Sequence, residues 1–350
     1  MFNLDSITRD NVKSLQSYKV WRDDFLDNKE AIFLDNCENN LGSPIGLGYE
    51  RYPSSSQTKV KEAIAKYKNV NANQVTIGNG SDELIDLLIR CFCEPKHDNI
   101  LVCEPTFGMF KVYAQLNNVE VLDAPLKKNS FLFDEQLILK TTNLRTKLIF
   151  ICTPNNPTGT SISIDQLKTI ASNFNGIVVV DEAYIDFSNK PSALALINEF
   201  PNIIILQTFS KAWALAALRV GVAYSNSEII AILNKVRPPF NINSNSQAVL
   251  LQALAKAEKK NILVKEILKQ KIILENELQQ LPFVKQIIES DANYFLIEVN
   301  DAKKVCDYLL ERSILISNRS SLLNCENHIR ISIGTENENK TLINFLKQYK

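Results

Sequence analysis

The sequence predicts an α/β protein in which helices cover both faces of a mostly parallel sheet, followed by a smaller α+β domain. From about residue 55, short apolar runs alternate with segments whose apolar residues have helical spacing. These runs are apolar throughout, which is typical of parallel strands buried on both faces. After residue 243 a long stretch without proline or glycine precedes shorter strands and helices. A length of 350 residues leaves room for two such domains.

The polar first 45 residues predict an N-terminal arm, residues 1–45, which also supplies part of the small domain. A large domain is predicted over 46–243, and a long linking helix with the small C-terminal domain over 244–350. In the large domain we expect a helix over Thr58–Tyr67 and strands over Val75–Ile77, Ile100–Cys103, Leu148–Cys152, Ile177–Val180, Ile203–Leu206 and Val220–Tyr224. In the C-terminal part we expect helices over Ser244–Leu281, Asp301–Arg312 and Asn337–Gln348, and strands over Tyr294–Glu298, Ile314–Ser317 and His328–Ile333.

Composition excludes several classes of function. Lys plus Arg number 39 and Asp plus Glu number 39, so there is no basic excess to attract nucleic acid or an anionic membrane. The first fifteen residues carry both charge signs and no apolar core, unlike a signal peptide, and no apolar run approaches the about 18 residues that span a bilayer. Seven cysteines without an export signal indicate reduced thiols in the cytoplasm, and neither they nor the two histidines have metal-ligand spacing.

Polar motifs follow the predicted strands, where an open parallel sheet collects its ligands. After Val75–Ile77 comes Gly78-Asn79-Gly80-Ser81-Asp82-Glu83, in which Ser81 and Asp82 begin a helix. This is a site for a phosphate or another anion, although an ordinary capped helix start has the same pattern. Phe107 follows the second strand and could stack on a planar ligand or belong to the core.

Amides, carboxylates and an amine follow the next three strands. Between two prolines, Asn155 and Asn156 are presented on a constrained backbone. Asp181, three residues before Tyr184, is a carboxylate directly after four apolar residues, so it needs a paired group or a cationic ligand atom.

Lys211 lies between an apolar strand and the apolar stretch Ala212–Leu218, with hydroxyls at Thr208 and Ser210. Most lysines are solvated surface residues, but a desolvated lysine is a better amine nucleophile. Arg219, eight residues on, could pair an anion. Together these strand ends fit a lysine Schiff base to pyridoxal phosphate, with a carboxylate facing the pyridine nitrogen.

The chain resembles the fold-type I pyridoxal-phosphate aminotransferases over almost its whole length, and within them it is most similar to the histidinol-phosphate aminotransferases. The resemblance is carried by Arg51-Tyr52-Pro53, Gly80-Ser81-Asp82-Glu83, Pro105-Thr106-Phe107-Gly108-Met109, Pro154–Gly159, Asp181-Glu182-Ala183-Tyr184, Ser210-Lys211-Ala212, Leu218-Arg219 and Ile329-Arg330-Ile331. It implies pyridoxal 5′-phosphate as the cofactor, a large cofactor-binding domain and a homodimer with shared active sites.

The resemblance also implies roles for individual residues. Lys211 would hold the cofactor covalently and move protons, and Asp181 would pair its pyridine nitrogen. Asn156 and Tyr184 would bind the ring oxygen, and Phe107 would stack on the ring. The cofactor phosphate would be held by Ser81, Asp82, Thr208, Ser210 and Arg219, and by Tyr52 of the neighbouring subunit. The substrates would be bound by Arg330, Tyr18, Asn39 and Arg319.

Arg330 is also singled out by spacing, because it alternates with isoleucines in a predicted strand and so projects opposite the core face. A solvated edge arginine has the same pattern.

Two departures from the family are visible. Ser317 stands where relatives usually carry an arginine, with Arg319 two residues later, and the usual Ala-Asn-Glu-Asn is replaced by Asn36-Cys37-Glu38-Asn39.

The expected reaction is amino transfer between L-histidinol phosphate and 2-oxoglutarate in histidine biosynthesis. Three alternatives stay open at this point. An aromatic or broad-range aminotransferase would share the chemistry, and an amino-acid-phosphate decarboxylase would share the fold and most motifs. A non-catalytic ligand sensor of the same fold would carry a DNA-binding region, for which the short arm and zero net charge leave no room.

Overall fold

The computed structural model describes residues 2–18, 20–25, 31–46 and 48–349, so the predicted arm is described in part. A seven-stranded sheet dominates the molecule. Its strands are β1 (Val75–Asn79), β2 (Asn99–Val102), β3 (Glu120–Asp123), β4 (Thr146–Cys152), β5 (Ile177–Asp181), β6 (Ile203–Thr208) and β7 (Val220–Tyr224). They are ordered β1-β7-β6-β5-β4-β2-β3, and β7 alone runs antiparallel to its neighbours. The predicted mostly parallel α/β sheet is therefore confirmed.

Each central strand contributes side chains to two hydrophobic cores, because successive side chains point to opposite faces of the sheet. On β4, Ile149 and Ile151 enter one core while Leu148 and Phe150 enter the other. This double burial explains why the strands are continuous apolar runs. The strand β3 was not predicted from the sequence, because it lies at the sheet edge and its Glu-Val-Leu-Asp sequence is only partly buried.

The helices of the described chain are α1 (Leu4–Ile7), α2 (Asp10–Ser14), α3 (Thr58–Lys68), α4 (Gly80–Phe92), α5 (Met109–Leu116), α6 (Glu135–Thr141), α7 (Ile164–Asn173), α8 (Ser227–Val236), α9 (Ser244–Leu254), α10 (Ala257–Gln279), α11 (Ala302–Leu310) and α12 (Glu336–Leu346). Side chains from α4, α5 and α8 pack on one face of the large sheet, and those from α3, α6, α7 and α9 on the other. None of the described helices is both long and apolar enough to cross a bilayer.

The prediction of one helix over Ser244–Leu281 is wrong. The helix ends at Leu254, Lys256 leaves helical geometry with φ −114° and ψ 29°, and α10 starts at Ala257. Leu250 belongs to the core of the large sheet, whereas Leu274 belongs to a separate core. Because the two halves pack on different cores, the bend is set by tertiary contacts, and no proline or glycine marks it in the sequence.

A second sheet is entirely antiparallel and has the order β10-β11-β9-β8. Its strands are β8 (Val284–Ile287), β9 (Tyr294–Val299), β10 (Ser317–Asn318) and β11 (His328–Ser332). The strand predicted over Ile314–Ser317 is wrong in its extent, because Ile314 and Ile316 pack against the small core without joining the ladder. The predicted domain boundaries after residues 45 and 243 stay predictions.

The two sheets meet at the loop that follows β4. The Asp291 amide donates to the Gly159 carbonyl at 2.8 Å, and the Tyr294 hydroxyl donates to the Asn155 carbonyl at 2.6 Å. Gly159 has φ +79°, and a Cβ there would lie 2.2 Å from the Ser290 hydroxyl oxygen. Glycine is therefore required both for the backbone conformation and for the close approach of the small sheet.

Candidate active site

A cavity of about 560 Å³ opens at the carboxyl ends of the large-sheet strands and is closed on one side by the small sheet. It brings together twelve of the residues predicted from the sequence, namely Ser81, Asp82, Phe107, Asn156, Asp181, Tyr184, Thr208, Ser210, Lys211, Arg219, Arg319 and Arg330. They come from six separate stretches of chain. Ten of them lie at the edge where the parallel strands of the large sheet end, and Arg319 and Arg330 come from the region of the small sheet.

One end of the cavity is suited to an anion. Asn79 at the start of α4 makes no side-chain cap hydrogen bond to the described helix, so the first N–H groups remain for another acceptor. The Arg219 guanidinium lies beside this turn, 3.1 Å from an Asp82 oxygen and 3.4 Å from the Ser210 hydroxyl. A Cβ on Gly80, which has φ +78°, would lie 2.5 Å from the guanidinium. A phosphate group fits this combination of helix terminus, hydroxyl and arginine.

Asp181 lies at the base of the cavity, and few hydrogen bonds offset the cost of burying its carboxylate. It is 3% exposed, and the described hydrogen bond to its side chain comes from the Ala183 amide at 3.1 Å. Burial raises its pKa to about 7, against the opposing effects of that amide and of the Lys211 charge. A cationic N–H group of a ligand would relieve this cost, so a protonated pyridine nitrogen fits the position.

Lys211 follows β6 and is exposed to the cavity, less enclosed than its apolar sequence context predicted. Its amine lies 5.4 Å from the centroid of the Tyr184 ring. Partial desolvation and the Arg330 charge lower the pKa of Lys211, whereas Asp181 raises it. The net lowering favours the neutral amine, which is the nucleophilic and basic form.

The adjacent amides Asn155 and Asn156 have different environments. Asn155 is fully buried, accepts from the Thr106 hydroxyl at 2.8 Å and donates to the Thr158 hydroxyl and the Pro105 carbonyl. It therefore holds the loop together. Asn156 lines the cavity, and its oxygen accepts from the Arg330 guanidinium at 2.6 Å.

The end of the cavity nearest the small sheet carries two arginines. Among the described residues, neither Arg319 nor Arg330 forms an ion pair, and the Nε of each is buried without a hydrogen-bond partner. Burial and the charge of Arg330 lower the pKa of Arg319. Two uncompensated guanidinium groups that line one cavity form a second site for an anionic ligand group.

Three predicted site residues do not line this cavity. Tyr18 is 72% exposed and Asn39 is exposed on the arm. Tyr52 is 49% exposed and stacks on Phe240 with ring centroids 4.7 Å apart. Its backbone amide donates to Glu38, a buried carboxylate that also pairs with Arg22 of the arm and with Arg51. The roles assigned to these residues stay predictions.

Sequence reasoning missed Tyr294, which lies in β9 and was predicted only as part of a strand. Its ring meets Tyr184 edge-on at 5.0 Å, and the Arg330 guanidinium lies 5.2 Å from its centroid. A tyrosine inside an apolar run needs a hydrogen-bond partner, and that signal could have marked it. Leu322, which lines the cavity itself, carries no comparable signal.

Comparisons with known proteins agree with this geometry. The family described as "Aminotransferase class I and II" matches residues 44–346. A histidinol-phosphate aminotransferase from Cytophaga hutchinsonii is 47% identical, covering 99% of each chain, and one from Flavobacterium psychrophilum is 45% identical, also covering 99% of each chain. The structure of a histidinol-phosphate aminotransferase from Sinorhizobium meliloti in complex with pyridoxal-5′-phosphate superposes with a TM-score of 0.80, at 19% identity, over 89% of this chain and 88% of that one.

The buried carboxylate generates the first prediction. Between its ordinary pKa of 3.8 and its folded value of about 7, Asp181 binds a proton in the folded ligand-free protein that the unfolded chain releases. Folding stability therefore falls as pH rises through this window. We expect Asp181→Asn to raise the unfolding free energy of the ligand-free protein at pH 8 by at most about 4 kcal/mol, and by much less at pH 4.

Urea unfolding at a series of pH values measures this difference. Asp165→Asn on the exposed face of α7 is the matched control and should show no pH-dependent gain. A gain for Asp181→Asn that is the same at pH 4 and pH 8 would contradict the prediction.

Proposed function

The chain belongs to the class I and II aminotransferases, and we propose that it transfers an amino group between L-histidinol phosphate and 2-oxoglutarate in histidine biosynthesis, with pyridoxal 5′-phosphate as cofactor. The observation that carries the proposal is the arrangement of charges along the cavity. One end has a helix terminus with Arg219, the other has Arg319 and Arg330, and Lys211 and Asp181 line the cavity with them. Such a cavity accommodates a phosphorylated cofactor and a separate anionic substrate group.

The residues present fit the cofactor. Its phosphate would be held by Ser81, Asp82, Thr208, Ser210 and Arg219, and its ring by Phe107, Asn156, Asp181 and Tyr184. Burial raises the pKa of Tyr184, so its hydroxyl stays protonated and can donate to the ring oxygen. When bound, the cofactor supplies an electron-withdrawing ring that stabilises negative charge at the substrate Cα. Asp181 keeps a proton on the ring nitrogen and so maintains that withdrawal.

Lys211 has two functions in this proposal. Its neutral Nζ would hold the cofactor at its carbonyl carbon, with loss of water, and the freed amine would remove the proton from the substrate Cα. The neighbouring charge of Arg330 and partial desolvation, which lower the pKa of Lys211, favour both functions. Arg319 and Arg330 orient the substrate by its phosphate or by a carboxylate of the oxo acid.

We further propose a homodimer in which Tyr52 reaches the cofactor phosphate of the neighbouring subunit. Large apolar side chains are exposed on the described arm, among them Trp21 (73%), Ile32 (84%), Leu34 (77%) and Leu41 (98%). Several large exposed apolar side chains on one segment are typical of a surface that another chain covers. Tyr52 stacks on Phe240 and does not line the cavity of its own chain, which supports a role for it in the neighbouring subunit.

The proposed reaction is tested by the visible absorption of the reconstituted protein. L-Histidinol phosphate alone should bleach the cofactor band, and 2-oxoglutarate should restore it, while Lys211→Ala should lose nearly all turnover. If the band responds only to another amino donor, the protein is still an aminotransferase but its substrate is that donor and not L-histidinol phosphate. Carbon dioxide release without consumption of 2-oxoglutarate would indicate a decarboxylase, and the absence of any cofactor band would contradict the role of Lys211.

Substrate selection by Arg319 is a separate prediction. Arg319→Ala should raise the KM for L-histidinol phosphate about 10- to 100-fold, because a charge-assisted contact to the phosphate is lost. The KM for glutamate should rise less, since Arg330 still binds a carboxylate. Ser317→Arg in the Arg319→Ala background should restore much of the loss. Equal effects on both substrates would contradict the assignment.

Shared active sites are tested by mixing inactive subunits. Heterodimers of Lys211→Ala with Tyr52→Ala contain one fully intact site, so random mixing should recover about a quarter of the wild-type activity. Mixing Lys211→Ala with Arg219→Ala is the matched control, because both residues line the cavity of one chain and no intact site can form. No recovery in the first mixture would contradict the exchange of Tyr52.

A further inference from the structure

A cluster of four polar side chains lies against the turn between β1 and α4, outside the lining of the cavity. Gln57, Glu83, Arg237 and Asn241 form this cluster, which we call the Asn241 cluster. Asn241 lies in the turn after Pro238 and Pro239, beyond the end of α8. None of the four has a role in the proposed chemistry.

Asn241 uses all the hydrogen-bonding capacity of its amide. Its Nδ2 donates to the Ile77 carbonyl at 3.0 Å and to Glu83 Oε2 at 2.6 Å. Its Oδ1 accepts from Gln57 Nε2 at 2.6 Å and from Arg237 Nη1. Because a carboxylate can only accept and a guanidinium can only donate, the amide has one possible orientation here.

The cluster holds both sides of the β1–α4 turn. The Ile77 carbonyl precedes the turn, and Glu83 Oε2, which Asn241 contacts, also accepts from the Asn79 amide at 2.6 Å. Between these points lie Gly80, Ser81 and Asp82, the residues of the proposed phosphate site. Asn79 provides no side-chain cap to this helix, so its first turn is held by Glu83 from within the helix and by Asn241 from outside it.

The cluster has an energetic cost that apolar packing would avoid. Gln57 and Arg237 are 1% and 8% exposed, and Gln57 Oε1 and Arg237 Nε are buried without a partner. Burial lowers the pKa of Arg237, against the charges of Glu83 and Asp23. Hydrogen bonds between buried polar groups fix the orientation of the groups they join, which apolar contacts do not.

The same turn also supports the segment that carries Tyr52. Phe240, next to Asn241, stacks on the Tyr52 ring, and Arg237 Nη2 donates to the Ser55 carbonyl at 2.9 Å. The cluster thus fixes the phosphate turn of its own chain and the tyrosine proposed to reach the neighbouring chain.

We propose that Asn241 is a positioning residue for the cofactor phosphate. Through Glu83 and the Ile77 carbonyl it holds the β1–α4 turn in the conformation that binds a phosphate, so the site is organised before the ligand arrives. This inference rests on the proposed function, because it takes the phosphate to be that of pyridoxal 5′-phosphate.

The test compares pyridoxal 5′-phosphate with pyridoxal, which lacks the phosphate. Asn241→Asp places a carboxylate against Glu83 and removes both donated hydrogen bonds. We expect it to weaken binding of pyridoxal 5′-phosphate about tenfold or more and to change pyridoxal binding less than about twofold. In Asn241→Asp with Glu83→Gln, the new amide can donate to the new carboxylate and the charge repulsion is removed, so part of the affinity should return, although the hydrogen bond to the Ile77 carbonyl stays lost.

Asn234→Asp on α8 is the matched control. Asn234 accepts from the Thr76 hydroxyl at 2.8 Å and from Lys61 at 3.4 Å, at the other end of β1, and both donors remain satisfied by a carboxylate. Its affinity for pyridoxal 5′-phosphate should match wild type. Thermal unfolding with and without cofactor gives a second readout, in which Asn241→Asp should show a smaller cofactor-dependent increase in Tm.

Equal weakening of both ligands by Asn241→Asp, or an unchanged cofactor-dependent increase in Tm, would overturn the inference and leave Asn241 a purely structural residue. Failure of the wild-type protein to bind pyridoxal 5′-phosphate would instead overturn the proposed function, so the two failures are distinguishable.

Discussion

The burial of Asp181 is the constraint on which the rest of the structure depends. A carboxylate that is 3% exposed at the end of an apolar strand costs free energy unless a cationic partner is present. The surrounding strands β4, β5 and β6 are buried along almost their whole length, and this burial provides the compensating hydrophobic stabilisation. The same chain then lines the cavity above it with Lys211, Arg219, Arg319 and Arg330, so the site is prepared for anionic groups around one buried negative charge.

Much of this arrangement could be predicted from the sequence because parallel strands buried on both faces are apolar throughout and because their carboxyl ends lie together. The edge strands β3 and β8 could not, since each offers two apolar residues on a partly exposed ladder. The break after Leu254 has no local signal, because it arises from packing on two separate cores. Within the site, the buried structural role of Asn155 and the contribution of Tyr294 depend on contacts between the two sheets, which periodicity does not encode.

Those contacts make the loop after β4 the physical link between the two ends of the cavity. Asn156 accepts a hydrogen bond from Arg330 on the small sheet, Asn155 accepts one from Tyr294, and Gly159 accepts one from Asp291. The phosphate site lies on the large sheet and the paired arginines lie on the small sheet. This loop therefore contributes to the distance between the two anion sites, together with the packing of Ile288 and Leu296 into the core of the large sheet. That distance limits the length of substrate that can engage both the reactive amine and the arginines.

The position of Arg319 follows from strand geometry. Ser317 lies opposite Arg330 in the antiparallel ladder, so the two side chains share a face of the sheet. Residues two apart on a strand also share a face, so moving an arginine from position 317 to 319 keeps it on the cavity side. Although β10 ends at Asn318, the Arg319 amide still donates to the His328 carbonyl of β11 at 2.8 Å, so the strand geometry continues to residue 319, whose side chain lines the cavity. Both positive charges therefore line the cavity, and the charge of Arg330 lowers the pKa of Arg319, as expected of two like charges near each other without a bound anion.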